Sequence, residues 1–238
     1  MSDRRCVVIT GGAGALGSAV AREIASRGLS VALIDSPHGR TRAEALVKEL
    51  GASARSYEAD VTSEAAWKDV TTKIASDLGD VIGAVLVAGA WAGGKPQHEE
   101  KDDATWTTMM SANLDTAHHS LRALLPGMVA RGEGSIVVIG SRNVERPWTG
   151  ASAAAYTASK AAVVALAQAV AAEVLAKGVR INAVLPSTLD TEANRHAMPN
   201  ADPKAWVSLA SAAKVIAFLL SDDARDISGA AIPLYGRA

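Results

Sequence analysis

A chain of 238 residues with 25 acidic and 24 basic side chains has a formal net charge of −1, which leaves no electrostatic footprint for nucleic acid or an anionic membrane. Hydrophobic residues make up 49 % of it but aromatics only 4 %, the composition of Ala-, Val- and Leu-rich helices packed on a parallel sheet. The length suits a single α/β domain, 1–238, and the lone Cys6 excludes an internal disulfide and reads as core filling.

The first expected strand, 6–10, runs directly into TGGAGALG at 10–17, with a helix expected near 15–27. Gly12, Gly14 and Gly17 satisfy G-x-G-x-x-G between a strand and a helix, the context that gives this pattern meaning. Glycines allow a tight turn and close approach to a pyrophosphate, and the helix start offers free N–H groups and a positive dipole end. Gly11, Gly12, Gly14, Ala15, Leu16 and Gly17 are therefore candidate cofactor contacts. The second strand, 30–35, ends in Asp35, whose carboxylate can accept from both ribose hydroxyls and repel a 2′-phosphate. NAD(H) is expected over NADP(H), with Arg40 and Arg42 as the residues able to accommodate that phosphate. After a helix at 40–50, the third strand, 54–60, places Asp60, followed by Val61, beside the adenine.

Further along, a helix is expected at 63–77, a strand at 82–89 carrying Ala88 and Gly89, and a long helix at 104–130 behind the solvated run EEKDD. A strand at 135–141 ends at Ser141, and a helix at 156–176 opens within AAAYTASKAAV, where Tyr156 and Lys160 share one face. The strand 180–186 leads into a polar, proline-bearing segment, 187–208, expected to act as a lid; a helix at 211–220 and a strand at 230–236 complete the chain. Seven unbroken apolar strands separated by helices predict a doubly wound (Rossmann) parallel sheet with helices on both faces. His38, His98, His118, His119 and His196 fall at no metal-ligand spacing, so no metal is expected. MSDRRCVVITGG lacks the apolar run of a signal peptide and no apolar stretch reaches about 18 residues without a polar break, so a cytoplasmic protein without membrane contact is expected.

With TGGAGALG, Asp60, Ser141 and Tyr156-x-x-x-Lys160 in one chain, the sequence resembles the short-chain dehydrogenase/reductase family over nearly its whole length. The resemblance implies an active site of Asn113 (in SANLDT), Ser141, Tyr156 and Lys160. Tyr156 would be the general acid or base, Ser141 would hold the reacting group, and Lys160 would also bind the nicotinamide ribose. Asn113 would position a water that feeds protons through Lys160. A unit charge about 4 Å from a phenol, at an effective dielectric of about 20, is worth roughly 4 kcal/mol, or about three pKa units. Lys160 is therefore expected to bring Tyr156 down toward neutral pH. In PSTLDT, Pro186 and Thr191 match the family pattern while Ser187 replaces a glycine; the resemblance implies Thr188 as a carboxamide contact, with Pro186 and Thr191 among the cofactor-binding residues.

Two departures, LVAG where the family has N-N-A-G and Ala15 where it has glycine, point to a dihydropteridine reductase-like branch. GGAGALG, VAGAWAGG (87–94) and VLPSTLDTEANRHAMPNAD (184–202) resemble that branch, which implies Trp91 stacking on a planar substrate ring. The branch lacks the serine, so Ser141 favours a small carbonyl or hydroxyl substrate, with a quinonoid dihydropterin as the alternative. Arg142, Asn143 and Trp148 are further expected substrate contacts. A non-catalytic dinucleotide-binding regulator has no need of all four active-site residues. The family's habit of pairing its long helices implies a homodimer or homotetramer.

Overall fold

Alternation along each buried strand decides the architecture. In β1 (Arg5–Thr10), Cys6 and Val8 face one core while Val7 and Ile9 face another, and in β2 (Ser30–Asp35) Ala32 and Ile34 oppose Val31 and Leu33. A sheet apolar on both faces must be covered on both. The computed structural model, which describes residues 4–237, shows that it is. β3 (Ala54–Glu58), β4 (Asp80–Leu86), β5 (Gly134–Ile139), β6 (Val179–Pro186) and β7 (Ala231–Leu234) complete a seven-stranded sheet of order β3-β2-β1-β4-β5-β6-β7, parallel throughout.

On one face, α1 (Ala15–Ser26), α2 (Arg40–Leu50) and α8 (Leu209–Leu220) bury Val20, Ile24, Leu46 and Ile216. On the other, α3 (Glu64–Leu78), α5 (Thr116–Arg131) and α6 (Ala154–Val174) bury Trp67, Ile74, Met128 and Val164. Cys6 lies wholly in this second core, where burial pushes its thiol up to about 12, so it is filling and not a nucleophile. The stretch Ala154–Lys177 is long and apolar enough to cross a membrane by length and composition; in this fold it packs on β5 and β6 and buries Lys160.

Four strands stop short of the expected ends: β3 at Glu58, β4 at Leu86, β5 at Ile139 and β7 at Leu234. Asp60, Ala88, Gly89 and Ser141 therefore lie in the loops just beyond the carboxyl ends, which part at the β1/β4 switch point to form a crevice. The helix expected at 104–130 is also interrupted. α4 (Ala104–Met109) passes into α5 through a π turn, Met110–Asp115, that carries Asn113. Such bulges re-aim a side chain at the expense of regular hydrogen bonding. Within the polar segment 187–208 a short helix, α7 (Glu192–Ala197), is capped by Thr191, whose hydroxyl accepts from the Asn194 N–H at 3.1 Å.

Candidate active site

The glycine turn after β1 has the shape that its sequence demands. Gly11 has φ +64°, and a side chain there would meet the backbone of Ala88 at 3.0 Å. A Cβ on Gly17 would stand 2.3 Å from the Gly11 carbonyl, so α1 packs against the turn only because that residue is glycine. Gly14 caps α1 with no side chain of its own, which leaves the first-turn N–H groups, Ala15 and Leu16 among them, to be satisfied from outside.

A cleft of about 650 Å³ opens above this turn, bordered by Gly11, Gly14, Ala15, Leu16, Asp35, Asp60, Val61, Ala88 and Gly89, while Gly12 packs on Leu33 and Gly17 on the turn itself. Asp35 is fixed in its wall, accepting from the Ala13 N–H and the Ser36 N–H at 2.9 Å each. Thr62 donates to Asp60 through its N–H and hydroxyl, which holds that carboxyl below the usual carboxylate range. Of the two arginines near Asp35, Arg40 is drawn away into an ion pair with Glu58, while Arg42 borders the cleft and reaches the Ala13 carbonyl. Ser36, Pro37 and His38 also border it, and sequence reasoning missed them because the turn after β2 carries no spacing signal.

At the inner end of the cleft four elements converge. Asn113 is buried; its amide donates to the Ala90 carbonyl at 3.1 Å and the Ser159 hydroxyl at 3.0 Å, and its oxygen accepts from the Ala90 N–H at 3.1 Å. It therefore braces the loop after β4 against α6. A Cβ on Gly89 would lie 2.5 Å from the Asn113 oxygen and 3.4 Å from Lys160 Nζ, so this position admits no side chain. Ser159, unremarked in the sequence, links Asn113 to α6 and donates to the Tyr156 carbonyl at 2.8 Å.

Lys160 is buried and donates to the Ile139 carbonyl at the end of β5 at 2.9 Å. Burial pushes its ammonium down to about 8. Tyr156 departs from expectation. Burial holds its phenol above the ordinary value, and hydrogen bonding to Ser141 pulls it back only in part. The depressed phenol expected from the Lys160 charge is not what this environment produces, because desolvation acts on the phenolate directly while Lys160 is itself desolvated and turned to Ile139. A neutral phenol is a proton donor at neutral pH.

Ser141, nearly buried, caps the turn Arg142–Val144 by accepting from the Asn143 N–H at 3.3 Å. Among the expected substrate contacts, Asn143 is otherwise engaged. Its amide donates to Thr157 at 3.3 Å and accepts from the Thr149 hydroxyl at 3.0 Å, which pins the 147–150 turn to α6. Arg142 is half-buried, while Trp91 and Trp148 are 66 % and 74 % exposed, at a rim and not in a closed pocket. Pro186 is the buried end of β6; Thr188 and Thr191 begin the segment beyond it, whose two ends are joined by a bridge between Leu189 and Val207.

The family model described as short chain dehydrogenase matches residues 5–202. The chain belongs to that family. Its relatives include 2-(S)-hydroxypropyl-CoM dehydrogenase 3 of Xanthobacter autotrophicus, 33 % identical over 97 % of this chain and 94 % of that one. Galactitol 2-dehydrogenase (L-tagatose-forming) of Cereibacter sphaeroides is 36 % identical over 80 % of this chain and 73 % of its own. Among solved structures, NAD+-bound xylitol dehydrogenase superposes with a TM-score of 0.88 at 27 % identity, covering 98 % of both chains. These short-chain dehydrogenases act on hydroxyl compounds by name, and the pterin-reductase branch rests on the sequence stretches alone. A dinucleotide fits the residues present. Gly11 and Gly14 in the turn, the uncapped start of α1 and the Asp35 carboxylate line one continuous cleft.

Proposed function

We propose that this chain is an NAD(H)-dependent oxidoreductase acting on a small carbonyl or hydroxyl compound. The observation that carries the reading is a half-buried Tyr156 whose phenol stays protonated at neutral pH, one helical turn from the buried Lys160, which stands with Asn113 against Gly89 at the inner end of the glycine-lined cleft. A bound nicotinamide dinucleotide supplies or takes up the hydride. In reduction, Tyr156 gives its phenolic proton to the substrate oxygen while the carbonyl carbon gains the hydride; in oxidation the proton returns to Tyr156. Ser141 holds the same oxygen by hydrogen bonding. Lys160 and Asn113 fix the geometry, with Pro186, Thr188 and Thr191 at the carboxamide end.

The test is NADH oxidation with a panel of small ketones, run beside NAD+ reduction with secondary alcohols and polyols. Ketone or alcohol turnover supports the reading. Fast turnover of a quinonoid dihydropterin alone would replace it with the pterin-reductase reading, which the exposed indole of Trp91 favours as a flat surface for a ring. Tight NADH binding without turnover of any compound would mark a dinucleotide-binding regulator.

Asp35 carries the cofactor preference. NADH is expected to bind at least about tenfold more tightly than NADPH, because a 2′-phosphate would meet a carboxylate already fixed by two N–H groups. Asp35→Ala, with Arg42 then the dominant charge at that wall, should shrink or reverse the ratio; equal dissociation constants in the wild-type protein would remove Asp35 from the argument. We also propose a homodimer or homotetramer, since α6 leaves Ala165, Ala169 and Ala172 exposed along one side. Mass measurement in solution showing only monomer at micromolar concentration would refute it.

A further inference from the structure

The C-terminal residues beyond β7 contact both loops that flank the reaction centre. Tyr235 donates its phenolic hydrogen to the Glu145 carboxylate at 2.5 Å, and the Arg146 guanidinium lies 5.1 Å above its ring centroid. The Tyr235 carbonyl accepts from the Ser187 hydroxyl at 2.9 Å, at the base of the segment after β6. Two residues on, the Arg237 N–H donates to the Ala205 carbonyl at 3.0 Å, at the far end of that segment. Gly236 between them has φ +63°, and a Cβ there would lie 2.6 Å from the Ala205 carbonyl, so the chain passes only as glycine.

Glu145 and Arg146 are tied to Ser141 through one turn of backbone. Their N–H groups donate to the Arg142 carbonyl at 3.1 and 3.0 Å, the Val144 N–H donates to the Ser141 carbonyl at 3.0 Å, and the Ser141 hydroxyl accepts from Asn143. This single turn of backbone starts at the Ser141 side chain and ends at the two residues that grip Tyr235. Burial and the adjacent carboxylate hold the Tyr235 phenol up to about 12, so it remains a donor throughout the neutral range.

We infer that Tyr235 is a positioning residue, which latches the Ser141 turn to the base of the segment after β6 and so fixes where Ser141 and that segment stand relative to Tyr156. The inference rests on the proposed roles of Ser141 and Tyr156 in turnover, but its structural half is testable without substrate. Tyr235→Phe keeps the ring under Arg146 and removes the hydroxyl; Glu145→Ala removes the acceptor, and Glu145→Gln keeps an acceptor oxygen.

Hydrogen exchange of the backbone amides of residues 143–146 is the first readout. Tyr235→Phe and Glu145→Ala should each raise it about fivefold, with Glu145→Gln within about twofold of wild type and the double variant no worse than either single. With a turned-over substrate, the same two variants should lower kcat by a similar factor and leave the dissociation constant for NADH unchanged. Unaltered exchange in Tyr235→Phe overturns the latch. Multiplying effects in the double variant, or Glu145→Gln as damaging as Glu145→Ala, do so equally. A wild-type protein inactive on every carbonyl and hydroxyl compound would sink the proposed function, while the exchange data would still decide the latch.

Discussion

Tyr156→Phe is expected to lower turnover by about a thousandfold and to leave NADH binding within about twofold of wild type, because a positioned general acid, the role proposed for Tyr156, is worth about 10²–10⁴ in rate and contributes little to holding the dinucleotide. The substitution removes one oxygen atom from a half-buried side chain whose helix is anchored elsewhere, by Ser159 to Asn113 and by Lys160 to Ile139. Folding is therefore little affected, and the loss is chemical. The pH dependence carries the same information. Burial raises the Tyr156 phenol above its ordinary value, so the protonated form needed for carbonyl reduction persists through neutral pH and well beyond it. A fall in reduction rate above about pH 8 would then report the loss of the Lys160 charge and not deprotonation of Tyr156. Steady-state rates of wild type and variant from pH 6 to 10 test both statements. Turnover in Tyr156→Phe within tenfold of wild type would remove the phenol from the mechanism.

The sheet was legible because its evidence is local. Unbroken apolar runs, a glycine turn directly after the first of them and carboxylates at the ends of the next two specify a doubly wound fold residue by residue. Strand ends were less legible. In IGAVLVAG the apolar run continues past Leu86, but the backbone leaves the ladder there to form the crevice, and hydrophobicity does not distinguish a residue paired in a sheet from one lining a cleft. The π turn around Asn113 was hidden for a similar reason. MSANLD has ordinary helical composition, and the bulge follows from Asn113 reaching Ala90 and Ser159, partners distant in sequence.

Electrostatics was the least legible layer. Spacing correctly placed Tyr156 and Lys160 on one helix, yet the sign of the phenol's shift depends on how much water each side chain loses. Asn143, expected beside Ser141 as a ligand contact, shows the same limit: its hydrogen bonds to Thr149 and Thr157 join residues that spacing does not connect. The Tyr235 contacts had no signature at all, since they join residue 235 to residues 145, 146 and 187 through the fold.

Lys160→Met is expected to make the protein more stable and far less active. A lysine is an unfavourable occupant of the site between β5 and α6; its ammonium, ordinarily 10.5, is held at about 8 by burial. That difference corresponds to about 3 kcal/mol of opposition to folding when the group is charged. The sign follows from proton binding. Between about pH 8 and 10.5 the unfolded chain holds a proton that the folded one has released, so stability rises with pH across that window, and the opposition is complete only below about 8. Methionine fills a similar volume with no charge to desolvate, but it forfeits the hydrogen bond to the Ile139 carbonyl, which offsets about 1–2 kcal/mol. The net gain of about 1–2 kcal/mol should raise Tm by about 4 °C at pH 6.5 and by little or nothing near pH 10. If Lys160 acts as proposed, turnover should fall at least about a hundredfold, since the variant has no charge to offer near Tyr156 or to a bound nicotinamide ribose. Thermal unfolding of both proteins at the two pH values is decisive. A variant less stable than wild type at pH 6.5, or a difference that does not shrink on going to pH 10, would show that the buried ammonium is not the burden described. The predicted result would mean that the fold tolerates a destabilising charge at Lys160 because the chemistry at Tyr156 requires it.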